Sequence, residues 1–423
     1  MHPVRPDRDR TNPADHNRLM DVGALLADLD ASPTPFHMVD LWRTRLLSAG
    51  FGEGLGGARG FIARGGSIVA WTGMSTMGDD EVRILGAHSD SPGLVIKPQP
   101  DRHDHGAASL GLEVYGSPLL NSWLDRDLKV AGRVVFTDGS HSLFDSHDPI
   151  ARISQLAIHL DRDVNDRGLL IDRHRHLIAT WSTAASPTTF ARWLAALEPS
   201  RDIVSFEARL VDHQPAALIG LDGSLIASGR LDNQVSCWAA LSAIVHATRP
   251  SIVAAFDHEE VGSNSATGAA GPLLKHVLEA CSVSAGLDSI DRISCLARMH
   301  CVSVDNAHAI HPAYPERHDP DHAPVINRGV AIKVNASQRY ATDAMSVAPF
   351  LSACASVGAS HQWFASRNTQ SCGTTIGPIV ATRLGVPTVD VGVPQWSMHS
   401  AREVCGSSDV IDLARILRAY LER

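Results

Sequence analysis

The second half of the chain alternates short apolar runs with longer segments in which apolar residues recur at helical spacing. This alternation constrains the fold more than any other feature of the sequence. From residue 237 onwards the segments are, in order, CWAALSAIVHA (helix), SIVAAFD (strand), GPLLKHVLEACSV (helix), MHCVSVDN (strand), VAPFLSACASVG (helix), VPTVDVG (strand) and DVIDLARILRAYLER (helix). Strands that alternate with helices favour a mainly parallel sheet with helices on both faces. We therefore predict an α/β fold in which a mostly parallel sheet is sandwiched by helices.

The middle of the chain has a different character. Strand-like runs dominate it, with turn residues between them and few helical patterns; they are GLEVYGS, AGRVVFTD, SFEARLVD and AALIGLDG. Such a series indicates a β-rich unit. Helical and strand-like patterns precede it, so both ends of the chain have α/β character. We predict one α/β domain built from residues 1–94 and 226–423, interrupted by a β-rich insertion at 95–225.

Composition excludes several classes of partner. The formal net charge is −9 and no basic block occurs, which makes nucleic acid an unsuitable partner. No apolar run approaches the roughly 20 residues that span a bilayer, so no membrane partner is expected. Residues 1–20 are charged and lack the apolar core of a signal peptide. Seven cysteines, an odd number without C-x-x-C spacing, argue against a disulfide framework, so we expect a cytoplasmic protein.

Polar residues that can bind metals follow four of the predicted strands and open one predicted helix. Open α/β sheets place their functional sites at the carboxyl ends of strands. A single such residue is more often a cap or a loop residue, but here five positions coincide. The candidates are His88 and Asp90 after RILGA, Glu259 and Glu260 after SIVAAFDH, Asp305 after CVSV, His399 after VPTVDVGVPQWSM, and Asp232 in SGRLDNQ. The sequence therefore predicts a metal centre at this edge of the sheet.

The ligand types narrow the choice of metal. Imidazole and carboxylate without thiolate suit zinc, manganese or cobalt. Two histidines and three carboxylates are too many for one tetrahedral ion with an open position, but they fit two ions about 3.5–4 Å apart that share a carboxylate. Of the adjacent Glu259 and Glu260, one can then bind metal while the other acts as general base. An H-E-x-x-H zinc site is excluded, because the fourth residue after His258 is Gly262.

The chain resembles the aspartyl aminopeptidases, a family of co-catalytic binuclear zinc metallopeptidases. The resemblance covers nearly the whole chain. The motifs that carry it are GAHSDSPGLVIKP, SWLDRDLKVAGRV, QLAIHLDRDVN, SGRLDNQVSCWAAL, FDHEEVGSNSATGA, DNAHAIHPAYPE, AIKVNASQRYAT, CGTTIGP and VPQWSMHSARE. It implies an aminopeptidase that removes N-terminal residues, preferentially Asp or Glu, from short peptides.

The resemblance also implies a role for each matching residue. Asp232 would bridge two divalent ions, most naturally zinc; one ion would also bind His88 and Asp305, and the other Glu260 and His399. Glu259 would be the general base and Asp90 would orient His88, while Lys333 and Tyr340 would contact substrate. The peptide bond between Asp232 and Asn233 is expected to be cis. His159 in QLAIHLDRDVN would reach the active site of a neighbouring subunit across a dimer interface, within a tetrahedral dodecamer built from dimers.

The sequence departs from the family pattern next to the expected substrate pocket. The family usually carries Asp and Pro just ahead of the CG-T-IGP motif, whereas this chain has Thr369 and Ser371 in RNTQSCGTTIGP. The departure therefore bears on the preference for acidic residues and not on the hydrolysis itself. A broader aminopeptidase, or a carboxypeptidase or N-deacylase on the same scaffold, is the alternative. A catalytically silent metal-binding assembly would lack a ligand or the base, and none is missing.

Overall fold

The structure is a computed structural model that describes residues 21–183 and 188–423. Its strands are β1 (Gly52–Glu53), β2 (Gly60–Arg64), β3 (Ser67–Thr72), β4 (Arg83–His88), β5 (Gly93–Asp104), β6 (Ala107–Tyr115), β7 (Leu128–Phe136), β8 (His141–Asp145), β9 (Ile178–Thr183), β10 (Ile203–Asp212), β11 (Ala217–Ile219), β12 (Leu225–Ser228), β13 (Ser251–Phe256), β14 (His300–Val304), β15 (Ala307–His308), β16 (Val330–Val334), β17 (His361–Ala365), β18 (Thr388–Gly392), β19 (Pro394–Trp396) and β20 (Glu403–Gly406).

The α-helices of the described residues are α1 (Val22–Ala31), α2 (Pro35–Ser48), α3 (Val164–Arg167), α4 (Phe190–Leu197), α5 (Leu231–Ile244), α6 (Leu273–Ser284), α7 (Ser289–Arg298), α8 (Val347–Val357), α9 (Ile376–Leu384) and α10 (Ser407–Leu421). Several begin at the capping residues that sequence rules favour. The Thr34 hydroxyl accepts a hydrogen bond from the His37 backbone N–H at the start of α2, and Asp288 accepts two at the start of α7.

The largest sheet contains nine strands in the order β1-β2-β3-β13-β4-β14-β18-β16-β17. Five of its eight neighbouring pairs are parallel, including the consecutive pairs that join β13, β4, β14 and β18. The remaining pairs, β2–β3, β3–β13 and β16–β18, are antiparallel. The mostly parallel sheet that the alternating pattern predicts is therefore present, with antiparallel pairs toward its sides.

Helices cover both faces of this sheet, because the buried strands carry apolar side chains on both sides. Along β3, Ile68 and Ala70 pack into one hydrophobic cluster, whereas Val69 and Trp71 pack into another. Side chains of α1, α2, α5, α8 and α10 complete the first cluster, and side chains of α6, α7 and α9 complete the second. Successive strand residues point to opposite faces, so each strand contributes to both clusters. The predicted sandwich of helices around the sheet is confirmed.

A second sheet contains six strands in the order β8-β7-β10-β5-β6-β9, and all its neighbouring pairs are antiparallel. It has its own hydrophobic cluster, in which Leu94, Phe136 and Phe190 are buried. A third sheet has the order β11-β12-β20-β19-β15. It joins strands that are far apart in sequence, since Leu225–Ser228 pair with residues 403–406.

The charged opening segment, residues 1–20, for which no signal peptide is expected, lies outside the described residues. Among the residues that are described, none of the helices combines the length and apolar character needed to cross a bilayer.

Candidate metal centre

Three of the predicted ligand positions lie where neighbouring parallel strands end. His88 is the last residue of β4 and pairs with Phe256, the last residue of β13. The Glu259–Val261 turn follows directly after β13, and Asp305 follows the last residue of β14. Because the three strands are parallel neighbours, their carboxyl ends meet at one edge of the sheet. The sheet thus brings His88, the two glutamates and Asp305 together.

Asp232 and His399 reach the same place from other elements. Asp232 lies in the first turn of α5, where its φ of −84° and ψ of 104° are not helical, and the peptide bond to Asn233 is cis, as predicted. The Asn233 side-chain amide donates a hydrogen bond to the Val304 carbonyl oxygen over 2.8 Å, which attaches the start of the helix to the end of β14. His399 lies in the loop between β19 and β20.

The two carboxylate oxygens of Asp232 face two different histidines. His88 Nε2 lies 3.3 Å from Asp232 Oδ1 and 3.9 Å from Asp305 Oδ1. His399 Nε2 lies 3.7 Å from Asp232 Oδ2 and 3.4 Å from Glu260 Oε2. Asp232 therefore stands between two groups of nitrogen and oxygen atoms.

These side chains form three groups, and within each group the possible ligand atoms lie within 4.8 Å of one another. The first group is His88, Asp232 and Asp305. The second is Asp232, Glu260 and His399, and the third is His88, Glu259 and Glu260. Asp232 Oδ1 is buried and accepts no hydrogen bond among the described residues. A buried carboxylate oxygen needs a donor or a cation. Neutral imidazole and carboxylate are ligands that zinc accepts. The donor set and the free oxygen thus fit divalent cations.

The crowding of carboxylates changes their protonation. Burial raises the pKa of Glu259 to about 8, and the nearby charge of Asp305 adds to the rise. Burial and the charge of Asp232 also raise the pKa of Glu260 well above its usual range. Divalent cations are often the largest local charges in such a site and reverse shifts of this kind. The adjacent glutamates are therefore compatible with one another when a cation lies between the surrounding carboxylates.

Asp90 connects several parts of the centre. Its carboxylate accepts hydrogen bonds from the backbone N–H groups of Glu259 and Glu260, each over 3.1 Å, and from the Tyr115 hydroxyl over 2.7 Å. His88 Nδ1 lies 3.0 Å from the Asp90 backbone carbonyl oxygen and 3.4 Å from its carboxylate. Asp90 therefore holds the glutamate turn as well as contacting His88, the contact that its i, i+2 spacing predicts.

Lys333 and Tyr340 lie beside the centre. Lys333 is only 2% exposed; its Nζ donates to the Asn306 carbonyl oxygen over 3.1 Å and lies 3.8 Å from Asp305 Oδ1. Burial raises the pKa of Asp305 to about 6, and the Lys333 charge opposes that rise. The ammonium group lies 5.2 Å from the centre of the Tyr340 ring. In this arrangement Lys333 balances the charge of a carboxylate of the centre.

His159 is the one predicted site residue that the structure of a single subunit does not join to the others. It lies in the short helical turn Ile158–Leu160 and is exposed to solvent. Among the described residues, no hydrogen bond or ion pair links it to the centre. Leucines of the same stretch of chain are also exposed: Leu156 by 64%, Leu160 by 73% and Leu170 by 71%.

Sequence reasoning missed two residues that support the centre. Tyr115, at the end of β6 in the six-stranded sheet, donates to Asp90. Glu403, at the start of β20, accepts hydrogen bonds from the backbones of Asp232 and His399. Neither residue is a ligand, so the search for ligand types at strand ends could not find them. The only signal for Glu403 is its place in the MHSARE motif.

Comparisons with known proteins identify the family of this chain. The family described as aminopeptidase I zinc metalloprotease (M18) matches residues 29–421. A probable M18 family aminopeptidase 2 of Streptomyces coelicolor is 44% identical over 419 residues, which cover 94% of this chain and 96% of that protein.

Solved structures have the same fold. A chain from a complex of Ape4 and Nbr1 is 30% identical with a TM-score of 0.89, and the match covers 98% of this chain and 87% of that one. A chain of the Saccharomyces cerevisiae mApe1 dodecamer is 24% identical with a TM-score of 0.82, covering 95% of this chain and 96% of that one. The family model matches nearly the whole chain, and the Streptomyces coelicolor relative is 44% identical over 94% of it: the chain belongs to the M18 family of zinc aminopeptidases.

Proposed function

We propose that this M18 aminopeptidase holds two divalent ions per subunit and removes N-terminal residues, preferentially Asp or Glu, from short peptides. The single observation that carries the proposal is the position of Asp232, whose two oxygens face two separate groups of ligand atoms. Zinc is the first choice of metal, with manganese or cobalt as alternatives.

Each ion has its own set of side chains in the proposal. His88 and Asp305 would hold one ion, Glu260 and His399 would hold the other, and Asp232 would serve both. When bound, the ions supply the Lewis acidity that polarises a scissile carbonyl and makes water a stronger acid.

The side chains of the chain itself would move the proton. Glu259 would accept a proton from the attacking water at a carboxylate oxygen and return it to the leaving amine when the peptide bond breaks. Asp90 would keep Glu259 in place through its hydrogen bond to the Glu259 backbone N–H. Lys333 would offset the negative charge of Asp305 and keep that carboxylate ionised.

Removal of the Asp232 carboxylate is expected to lower metal occupancy at both positions. The Asp232→Ala variant should retain fewer than two ions per subunit after dialysis, because one side chain serves both ions. Metal content measured by mass spectrometry checks this, with Asp166→Ala as an exposed-aspartate control. Two tightly bound ions in Asp232→Ala would contradict the bridge.

A cavity of about 230 Å³ beside the centre supports the preference for acidic residues. Two arginines, Arg317 and Arg367, line it together with one carboxylate, Asp319. Its histidines are His308, His318 and His322, and burial lowers the pKa of His308 to about 4, so that this imidazole is neutral. Phe364 lines it, 6.0 Å from the His308 ring and 6.2 Å from the Tyr340 ring, so the cavity adjoins Tyr340. Because Lys333 is buried against Asp305, we assign the attraction of an acidic side chain to these arginines rather than to Lys333 alone.

The selectivity can be measured with aminoacyl reporters. We expect Asp and Glu reporters to be turned over faster than Leu and Ala reporters, and N-acyl amino acids not to be hydrolysed. Arg367→Ala should reduce the Asp-to-Leu ratio of kcat/KM, whereas Arg383→Ala, an exposed arginine of α9, should not. Faster turnover of neutral reporters would indicate the broader aminopeptidase, and cleavage of N-acyl substrates would indicate the deacylase.

The assembly and the domain limits belong to the same proposal. The exposed leucines in the stretch of chain that contains His159 support a subunit interface in the inserted segment 95–225, between the two parts of the peptidase domain at 1–94 and 226–423. A solved relative of the same fold is a dodecamer, which supports a tetrahedral dodecamer of dimers. All seven cysteines lie in the described residues and are free, which supports the cytoplasm as the compartment.

A further inference from the structure

Glu403 is a buried carboxylate directly behind the metal-binding side chains. It is the first residue of β20 and only 1% exposed. Its Oε2 accepts a hydrogen bond from the Asp232 backbone N–H over 3.0 Å. Its Oε1 accepts one from the His399 backbone N–H over 2.6 Å and one from the Gln395 side-chain amide over 3.4 Å. One carboxylate thus holds the backbones of two residues whose side chains meet 3.7 Å apart.

The position of Glu403 in the third sheet explains how it reaches both residues. Glu403 pairs with Ser228, the last residue of β12, and the chain continues from there to Asp232. On its other side, β20 pairs with β19, and His399 lies in the loop between these two strands. Glu403 is therefore the point where the start of α5 and the loop between β19 and β20, each carrying one proposed metal-binding side chain, are fixed to one another.

The hydrogen-bonding pattern suits a carboxylate and no other side chain of similar shape. All three partners of Glu403 are N–H donors, and its two carboxylate oxygens accept all three hydrogen bonds. A glutamine in its place would direct its NH₂ group at one of the backbone N–H groups, whichever way the amide is turned. That N–H would be buried without an acceptor.

We propose that Glu403 is a positioning residue that keeps Asp232 and His399 in the relative position needed to bind a divalent cation between them. This rests on the proposed function only in so far as Asp232 and His399 bind metal. In this proposal Glu403 does not act on the substrate directly. Its effect reaches the reaction through the backbones of Asp232 and His399. Hydrogen-bonded groups behind metal ligands are typically worth about 10–100-fold in metal affinity.

A purely structural role is the alternative, and the chain offers a matched control. Asp409 is also 1% exposed, and its carboxylate accepts hydrogen bonds from the backbone N–H groups of Asn327 over 2.6 Å and Gly329 over 2.8 Å. Asp409 thus fixes the backbone of a loop as Glu403 does, but the loop at residues 327–329 carries none of the proposed metal-binding side chains. Asp409→Asn should therefore cost fold stability without a specific effect on metal binding.

The test is a titration of the metal-free full-length protein with Co²⁺, read by visible absorption, together with the increase in Tm that added Zn²⁺ produces. We expect Glu403→Gln to bind Co²⁺ about 10–100-fold more weakly than the parent in at least one phase, and to gain less Tm from Zn²⁺. Asp409→Asn should lower the Tm of the metal-free protein and keep the parental Co²⁺ affinities.

Glu403→Asp provides a second, milder variant in case Glu403→Gln does not fold. Its carboxylate is one methylene shorter and can still accept from one backbone N–H, so it should fold and show a smaller loss of Co²⁺ affinity. Parental Co²⁺ affinities in a folded Glu403 variant, or an equal loss in Asp409→Asn, would overturn the proposal. Because the readout is metal binding, the result does not depend on the peptidase assay. A parent protein that binds Co²⁺ but cleaves no peptide would count against the proposed function, and the role of Glu403 could still be tested.

Discussion

Replacement of Glu259 by glutamine is expected to lower kcat by about 10²–10⁴-fold, the usual contribution of a general base. Glutamine has nearly the same size as glutamate and keeps one carbonyl oxygen, but it cannot accept a proton from the attacking water. Asp90 holds the backbone N–H of this residue and not its side chain, so the turn should keep its conformation. Metal content should therefore remain at the parental value while turnover falls, as measured by an aminoacyl reporter assay and metal analysis of the same sample.

Glu260→Gln is the matched control for this change. The Glu260 carboxylate lies 3.4 Å from His399 Nε2, so its replacement should reduce metal content as well as turnover. The two glutamate variants are thus expected to differ: Glu259→Gln should lose activity and keep its metal, whereas Glu260→Gln should lose both activity and metal. Near-parental activity of Glu259→Gln would show that another group takes the proton.

His159→Ala is expected to lower kcat by about 10²–10³-fold, the usual value of one hydrogen-bond donor to a developing oxyanion. The residue is exposed in the single subunit and is not buried in its core, so neither the fold nor the metal content should change. His174→Ala, which removes another exposed histidine of the inserted segment, should have parental activity. Monomers that are held apart should be inactive although they carry every metal-binding side chain.

Mixing the two inactive variants separates action within a subunit from action across the interface. A hybrid dimer of Glu259→Gln and His159→Ala contains one centre that has an intact base and receives an intact His159 from the other chain. Some activity should therefore return when the two variants are dissociated and reassembled together. An active monomer, or verified hybrid dimers without activity, would show that His159 does not work across the interface.

The general architecture could be predicted from the sequence because long buried elements carry a strong periodic signal. The final helix, Ser407–Leu421, and the strand Ser251–Phe256 appear where their apolar patterns indicate. The five-stranded sheet has a weaker signal, and the strand-like run AALIGLDG contains only its edge strand β11. Its strands contain only two to four residues, and they pair residues near 225 with residues near 405, so they depend on long-range contacts that no local pattern reveals.

The convergence of these side chains could be predicted because the carboxyl ends of parallel strands lie at one edge of the sheet, but the partners of the charged groups could not. Lys333 is predicted to contact the substrate; in the structure its ammonium group also donates one hydrogen bond to the Asn306 carbonyl oxygen and lies 3.8 Å from Asp305 Oδ1. Whether a lysine at a strand end points toward an open cavity or toward a buried carboxylate depends on the neighbouring strands. The sequence of β16 alone does not contain that information.

The spread of the ligands along the chain has a consequence for biosynthesis. Proteins are made from the N-terminus, and the group of His88, Asp232 and Asp305 is complete as soon as Asp305 has been added. The group of Asp232, Glu260 and His399 stays incomplete until β19 and the following loop have been made. In the proposed assignment the nascent chain would therefore acquire its two ligand sets in a fixed order, and the set that contains His399 would form only after nearly the whole chain had left the ribosome.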